Sequence, residues 1–212
     1  MEFKEGISLM ETGKTDIPET VAVLNKELHE LDAEYLMKTL DIPTSDTSRY
    51  SMVDYLEENI SKQGYTRLYP ALEWLLNHKL DRDPVVLCHG DFHQGNILWH
   101  DGKVSAVLDW GTYRFEEEYF DIARYLVAGK AFMPFVFPEI NCDDFLSRYY
   151  KKYRELSDLD SGRVDYYKAV NGLYGLFAFE NGVEPFGIPV VQKQYIETFK
   201  ELTGIKVPYL TN

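Results

Sequence analysis

Residues 89–96 read His-Gly-Asp-Phe-His-Gln-Gly-Asn and carry side chains that can support phosphoryl transfer. Transfer of a phosphoryl group to an alcohol needs a carboxylate that orients the hydroxyl and accepts its proton. It also needs oxygen ligands that hold magnesium across the nucleotide phosphates. Asp91 can supply the first group, and Asn96 together with Asp109 can supply the second. We therefore predict Asp91 as the catalytic base and Asn96 and Asp109 as metal ligands.

Short strands must position these residues, because β-branched apolar runs replace helical spacing in this part of the chain. The dipeptide Asp101–Gly102 separates two of the runs and is of the kind that closes a tight hairpin. Antiparallel strands joined by a tight turn bring their outer ends side by side. Asn96 and Asp109 are therefore predicted to converge on one ion. The predicted strands cover residues 85–87, 96–99 and 104–108.

The rest of the chain has the apolar spacing of helices, so the predicted fold class is mainly α (α+β), with a small central β-hairpin. Asp16 with Glu19 resembles a capping box at the start of the first helix. Ser51 is predicted to cap a second helix, and Gly204 is predicted to end the last one. Helical stripes are predicted at residues 21–31, 53–60, 68–76, 119–131, 143–156, 163–181 and 190–203.

A family resemblance rests on the pattern H-G-D-x-x-x-x-N at residues 89–96, followed by Leu-Asp-Trp around Asp109. The pattern resembles the aminoglycoside phosphotransferase and choline kinase superfamily, which has a protein-kinase-like fold. The spacing from Asp to Asn is also that of the protein-kinase catalytic loop, where the Asp is the base and the Asn a metal ligand. The resemblance implies a kinase that phosphorylates a hydroxyl of a small molecule, with ATP or GTP and Mg²⁺ as cofactors.

The same resemblance assigns supporting roles to other residues. Residues 119–123, Tyr-Phe-Asp-Ile-Ala, look like the Asp-Leu-Ala motif of the family, so Asp121 is expected to brace the catalytic loop. The helix that contains residues 28–32 looks like the one that precedes this loop. His89 is expected to shape the loop backbone through a hydrogen bond rather than to act as a catalyst.

A nucleotide site is implied in the same way. Residues 1–6 are similar to the stretch that joins the two lobes of the family's fold. By that similarity, backbone groups near Glu2 and Phe3 meet the adenine, and Ile97 and Leu98 form the floor of its pocket. These residues are implied by the family pattern and not by any spacing within this chain.

The resemblance covers only the helical C-terminal lobe of a kinase-like fold, because no G-x-G-x-x-G loop or V-A-I-K-like lysine strand is found in the sequence. The N-terminal nucleotide-binding lobe is therefore expected to be absent, and transfer by the chain alone is expected to be weak. Self-association or a separate N-terminal lobe would cover the exposed surface. The expected parts are a hinge-like segment at 1–10, helices at 11–84, the catalytic loop and hairpin at 85–111, and helices at 112–212.

Two alternatives remain open at this point. The first is a noncatalytic pseudokinase lobe that keeps the cleft and only binds a ligand or a partner. The second is a metal-dependent hydrolase, because the H-x-D-x-H sequence places three metal ligands close together. Its ligands would be His89, Asp91, His93, His100 and Asp109.

The amino-acid composition limits the classes of partner that the chain can bind. The 22 basic and 35 acidic residues give a net charge of −13 without a Lys/Arg cluster, which argues against nucleic acid as a partner. The two cysteines form no C-x-x-C pair, and neither a signal peptide nor a membrane-length apolar stretch is present, so a cytoplasmic protein without membrane contact is expected.

The sequence does not identify the molecule that accepts the phosphoryl group. The acidic triplet at 116–118 is either a recognition site for a cationic substrate or a solvated helix start, and the second interpretation is slightly preferred. Four aromatic residues are either a box for a quaternary ammonium or, with greater weight, packing residues. They are Trp110, Phe115, Tyr119 and Tyr174.

Overall fold

Helices make up more than half of the part of the chain that a computed structural model describes, namely residues 5–41, 47–81 and 84–208. The predicted mainly helical fold class is confirmed. The helices of the described residues are α1 Ile17–His29, α2 Ala33–Leu40, α3 Thr47–Tyr50, α4 Met52–Gln63, α5 Tyr69–Asn77, α6 Tyr119–Val136, α7 Cys142–Leu156, α8 Ser161–Glu180 and α9 Pro189–Thr203.

The core forms where α6 and α9 pack against α8, and where α7 packs against α1 and α6. Gly175 allows the close approach of α8 and α9, because a Cβ atom there would collide with the ring of Tyr195. Most of the aromatic side chains that are fully buried come from these helices, among them Tyr149 and Phe199. Within the described ranges, no helix is both long enough and apolar enough to cross a membrane.

Two small antiparallel sheets lie beside the helices and carry the loop at 89–96. One sheet has the strand order β1-β3-β4, and the other pairs β2 with β5. The hairpin β3–β4 confirms the predicted one, with Asp101 and Gly102 at its turn in the left-handed conformation. The strands are β1 Ile7–Ser8, β2 Val86–Cys88, β3 Ile97–His100, β4 Lys103–Val107 and β5 Arg114–Glu116.

Strand β5 corrects the expectation that residues 112–212 are helical. Its three residues, Arg-Phe-Glu, are too few to show a period of two, and the two charged residues among them are not typical of a buried strand. All three residues are buried because β5 pairs with β2, Phe115 lying opposite Leu87. A long-range pairing therefore decides the conformation of this segment.

Helix caps agree with the sequence at two of three positions. The Ser51 hydroxyl accepts the amide of Asp54, and Gly204 ends α9 in the left-handed conformation. The predicted capping box at Asp16 is wrong, because that side chain accepts no amide and pairs with Lys14 at 3.2 Å. A capping box forms earlier in the chain, where Ser8 begins a short 3₁₀ turn.

Candidate functional site

The hairpin brings the two predicted metal ligands to the same end. The amide of Leu108 donates a hydrogen bond to the carbonyl oxygen of Asn96 at 2.8 Å, so Asp109 directly follows the residue paired with Asn96. Asp109 adopts the left-handed conformation, with φ of 59°, and its side chain is exposed. The convergence of strand ends that the turn predicts is therefore present in the backbone.

Asp91 lies in the loop between β2 and β3, and its main chain is held from both sides. Its amide donates to Nδ1 of His89 at 3.2 Å, and the side-chain amide of Asn96 donates to its carbonyl oxygen at 3.0 Å. Its carboxylate remains partly open to solvent, with 37% of the side chain exposed. The loop thus presents one carboxylate at a defined place.

An imidazole and a guanidinium lie beside the carboxylate of Asp91. Nε2 of His93 is 3.6 Å from Oδ2, and Nη2 of Arg124 is 3.9 Å from Oδ1. Burial raises the pKa of Asp91, but the contact with the His93 imidazole and the charge of Arg124 outweigh it, so the pKa lies below its ordinary value. Asp91 is therefore ionised and able to accept a proton from a hydroxyl.

His89 is fully buried and uses both ring nitrogens within the protein. Nδ1 accepts the amide of Asp91, so the proton is on Nε2, which lies 2.8 Å from the carbonyl oxygen of Leu108. His89 therefore ties the loop to the end of the hairpin. These contacts are of the backbone-shaping kind expected for this residue.

Asp121, near the start of α6, lies under the same loop. Its carboxylate accepts the amides of His89 and Gly90, each at 2.8 Å, and also lies 3.3 Å from Nε2 of His29. The other ring nitrogen of His29 contacts the hydroxyl of Tyr153 at 2.7 Å. A buried polar network therefore connects the loop to α1, α6 and α7.

The ligand set of the hydrolase alternative does not assemble. Both nitrogens of His89 are occupied, and His100 lies at the turn end of the hairpin, opposite the end that carries Asp109. Another buried group, His29 with Cys88 and Asp121, has the spacing of a metal site. Burial, however, raises the pKa of the Cys88 thiol well above its ordinary value, and Asp121 already accepts two amides. These residues support the loop.

Glu116 and Glu117 of the acidic triplet are buried and the side chain of Glu118 is 17% exposed, so the triplet is not solvated, although α6 does begin directly after it. Glu116 accepts the amide of Met52 and the hydroxyl of Tyr167, and Glu117 pairs with Arg163 at 2.7 Å. The carboxylate of Glu118 accepts the hydroxyls of Tyr153 and Ser157, both at 2.8 Å. The three carboxylates therefore hold helices together and do not face a substrate.

The four candidate aromatic residues do not pair with one another. Each contacts a different ring: Trp110 lies against His89, Phe115 against Tyr50 and Tyr113, Tyr119 against Tyr167, and Tyr174 against Phe186. The packing interpretation therefore describes them better than a cation box does.

The predicted nucleotide-binding residues divide between the two faces of β3. Successive strand residues point to opposite faces, and Ile97 is fully buried in the core while Leu98 is half-buried. Leu98 pairs with Ala106, so Leu108, which is 41% exposed, lies on the same face as Leu98. The sequence pattern does not predict a role for Leu108, because its exposure and its place beside Leu98 depend on the pairing of the hairpin strands. Glu2 and Phe3 lie outside the described residues.

The side chains of Asn96 and Asp109 suit a hard cation. The amide nitrogen of Asn96 is bonded to Asp91, which leaves its carbonyl oxygen as the atom free to bind a metal. Among the described residues, no hydrogen bond or ion pair involves the carboxylate of Asp109. Carboxylate and amide oxygens are ligands that Mg²⁺ accepts. The donor set at this end of the hairpin therefore fits magnesium.

A cavity of about 380 Å³ opens beside Asp91. Its walls are mainly apolar and come from α6 and from residues 185–186, with Phe132, Phe137 and Phe186 among them. Arg124 also lines it, and so do His93 and Gln94. In the sequence, this wall corresponds to the apolar stretch 131–137. Phe135 and Val136 of this stretch are exposed although they lie in α6.

Comparison with known proteins relates the chain to phosphotransferases. The model of the family described as the phosphotransferase enzyme family matches residues 1–163, and so includes the loop at 89–96, the hairpin and Asp121. The match therefore covers the candidate site and most of the chain.

Solved structures show the same fold. A thermostable mutant of aminoglycoside phosphotransferase APH(4)-Ia, in ternary complex with AMP-PNP and hygromycin B, is 15% identical with a TM-score of 0.64, covering 96% of this chain and 70% of the other. An ethanolamine kinase of Plasmodium vivax is 15% identical with a TM-score of 0.60, covering 95% and 63%. The macrolide 2'-phosphotransferase of Brachybacterium faecium is 16% identical with a TM-score of 0.55, covering 96% and 69%.

Proposed function

The chain belongs to the phosphotransferase enzyme family, and we propose that it transfers the γ-phosphoryl group of a magnesium nucleotide, ATP or GTP, to a hydroxyl of a small molecule. One observation carries this proposal. Asp91 lines an apolar cavity, and its main-chain oxygen accepts a hydrogen bond from Asn96, at the end of the hairpin that also carries Asp109. An acceptor and a metal nucleotide can therefore reach the same carboxylate from two sides.

In the proposed reaction, the acceptor hydroxyl lies in the cavity and donates its hydrogen bond to Asp91. As the hydroxyl oxygen bonds to the γ-phosphorus, the bond from phosphorus to the bridging oxygen of the β-phosphate breaks, and the hydroxyl proton passes to Asp91. Asp91 serves this role because His93 and Arg124 keep it ionised against the effect of burial. His89 and Asp121 act as positioning residues, because they hold the loop and not the reactants.

Asn96 and Asp109 are the proposed ligands of magnesium, through one amide oxygen and one carboxylate. When bound, the ion would neutralise charge on the nucleotide phosphates. The apolar face formed by Leu98 and Leu108 is the proposed support for the nucleotide base. The roles of Glu2, Phe3 and Ile97 in base binding stay predictions.

A direct test measures nucleotide binding and transfer separately. The chain spans 63–70% of the length of the three solved phosphotransferases described above, so transfer is assayed with the chain alone and with a separately supplied N-terminal lobe of a relative. Asp109→Asn is expected to weaken magnesium-dependent ATP binding at least about tenfold, because it removes a charged ligand. Asp91→Asn is expected to abolish transfer while ATP binding persists.

Asp101→Asn is the matched control, because Asp101 occupies the other end of the hairpin in the same left-handed conformation and is exposed. It is expected to leave binding and transfer unchanged. Transfer that survives Asp91→Asn would contradict the assignment of the base. ATP binding without transfer under every condition would favour the pseudokinase alternative.

A further inference from the structure

Arg124 is a buried cation without a hydrogen-bond partner among the described residues. Only 9% of its side chain is exposed. Nε and Nη1 are shielded from solvent and have no hydrogen-bond partner, and among the described residues no hydrogen bond reaches Nη2 either. The contact with Asp91, 3.9 Å from Nη2, is too long for a hydrogen bond. A buried guanidinium without hydrogen bonds is unfavourable, so this arrangement points to a missing partner.

The guanidinium faces the cavity beside Asp91. Arg124 lines this cavity, and its charge lies 4.8 Å from the ring centroid of Tyr174 and 5.7 Å from that of Phe186. The two rings hold the side chain in place by cation–π contact. The atom of Arg124 nearest the carboxylate of Asp91, Nη2, is thus left as a donor at the place where an acceptor hydroxyl would lie.

The charges around the cavity disfavour a cationic ligand. Among its lining residues, Asp91 and Arg124 are the two with a permanent charge, and His93 is the remaining titratable group apart from the buried hydroxyl of Tyr125. The carboxylates of residues 116–118 are engaged elsewhere. Tyr174 and Phe186 already contact a guanidinium, so these rings do not offer a free face to an ammonium group.

We propose that the acceptor is an alcohol with an apolar body and an oxygen anion beside the reacting hydroxyl, and that Arg124 binds this oxygen. The apolar body lies against Phe132 and Phe137, the hydroxyl meets Asp91, and a carboxylate or similar oxyanion accepts from Nη2. The inference rests on the proposed function, since it names the acceptor class of the same site. A cation such as an aminoglycoside or choline is the wrong class for this cavity.

Three probes that share a phenylpropane body and a hydroxyl test the charge preference. They are 3-phenyllactate, with a carboxylate, 3-phenylpropane-1,2-diol, which is neutral, and phenylalaninol, with an ammonium. Dissociation constants are measured on the full chain without nucleotide by ligand-observed NMR. The carboxylate is expected to bind at least about tenfold more tightly than the ammonium, because charge-assisted hydrogen bonds are about twice as strong as neutral ones.

Variants assign the preference to Arg124. Arg124→Met is expected to bring the carboxylate and ammonium probes within about threefold of each other while the affinity of the diol changes by less than that, because only the charged contact is lost. Asp91→Asn removes a neighbouring negative charge and is expected to strengthen carboxylate binding whatever the role of Arg124, so the variants of Arg124 alone assign the preference. Circular dichroism checks the fold, and Arg124→Lys, which keeps the charge, is expected to retain a weaker carboxylate preference.

Tightest binding of phenylalaninol, an unchanged preference in Arg124→Met, or no binding of any probe would overturn the proposal. If Arg124→Met does not fold, Arg124→Gln, which keeps a polar side chain without the charge, is measured in its place, and an unchanged preference there would overturn the proposal. Because these measurements need neither nucleotide nor transfer, they are independent of the test of Asp91 as the base. Loss of the proposed function alone would leave the charge preference intact.

Discussion

Replacement of Asp121 should destabilise the protein by an amount that its contacts define. Oδ1 accepts the amide of Gly90, and Oδ2 accepts that of His89 and lies near Nε2 of His29. Asn has one oxygen, so Asp121→Asn leaves at least one buried donor without an acceptor, at a cost of about 1–3 kcal/mol. Asp121→Ala removes the acceptor of both amides, and we expect a loss of about 2–6 kcal/mol, since each buried donor left without an acceptor costs about 1–3 kcal/mol.

Urea unfolding, followed by fluorescence and circular dichroism at neutral pH, measures these free energies. Hydrogen exchange at the amides of His89 and Gly90 measures the local effect, which should be faster in both variants because each amide loses a buried acceptor. Asp101→Asn is the control, since an exposed substitution usually changes stability by less than about 0.5 kcal/mol. If Asp121→Asn is as stable as this control and exchange at residues 89–90 is unchanged, Asp121 does not hold the loop.

Three further outcomes are expected. Gly90→Ala should cost about 1–3 kcal/mol more in unfolding free energy than Gly102→Ala, because both residues have positive φ but only at Gly90 would a Cβ collide with the carbonyl oxygen of Thr112; equal losses would contradict this. The Asp91 carboxylate, followed by ¹³C NMR, should titrate at higher pH in His93→Ala, since loss of the His93 contact leaves the effect of burial on the pKa less opposed. Because the pKa of Asp91 is lowered in the folded protein, its contribution to stability should be fully present above pH 3.8 and be lost as the pH falls through the folded pKa. An unchanged titration of Asp91 in His93→Ala would show that His93 does not lower this pKa. Glu117→Gln should lower stability by about 1–3 kcal/mol in thermal or urea unfolding, because it leaves Arg163 less well paired. A change as small as that of Glu34→Gln, at a side chain that is 83% exposed, would refute it.

Short-range patterns predict much of the helical fold. Apolar residues repeat at helical spacing over the segments that become α6, α7, α8 and α9, and local cap residues such as Ser51 and Gly204 define helix ends. The turn at Asp101–Gly102 closes the hairpin as its residue types require. These features depend on contacts between residues close in sequence, which is why they are readable.

Features that depend on residues far apart in the chain cannot be predicted from such local patterns. The pairing with β2 makes Arg114–Glu116 a strand, and Arg148 takes Glu19 away from the predicted capping box. The acidic residues 116–118 look solvated in the sequence, yet tyrosine hydroxyls and Arg163 from α7 and α8 satisfy them inside the protein. Burial of a charge depends on partners that spacing does not reveal.

The candidate site divides along the same line. The sequence by itself predicted Asp91, Asn96 and Asp109 as site residues, because a catalytic loop and a tight hairpin need particular residue types at fixed separations, and it pointed to the phosphotransferase family that the comparison then showed. Only the tertiary structure decided that an apolar cavity opens beside Asp91, that Leu108 shares a face with Leu98, and that Arg124 lies beside the carboxylate of Asp91 without a hydrogen bond from the described residues. A cavity forms between elements far apart in the chain, so its shape and charge emerge only when α6 packs against the segment that follows α8.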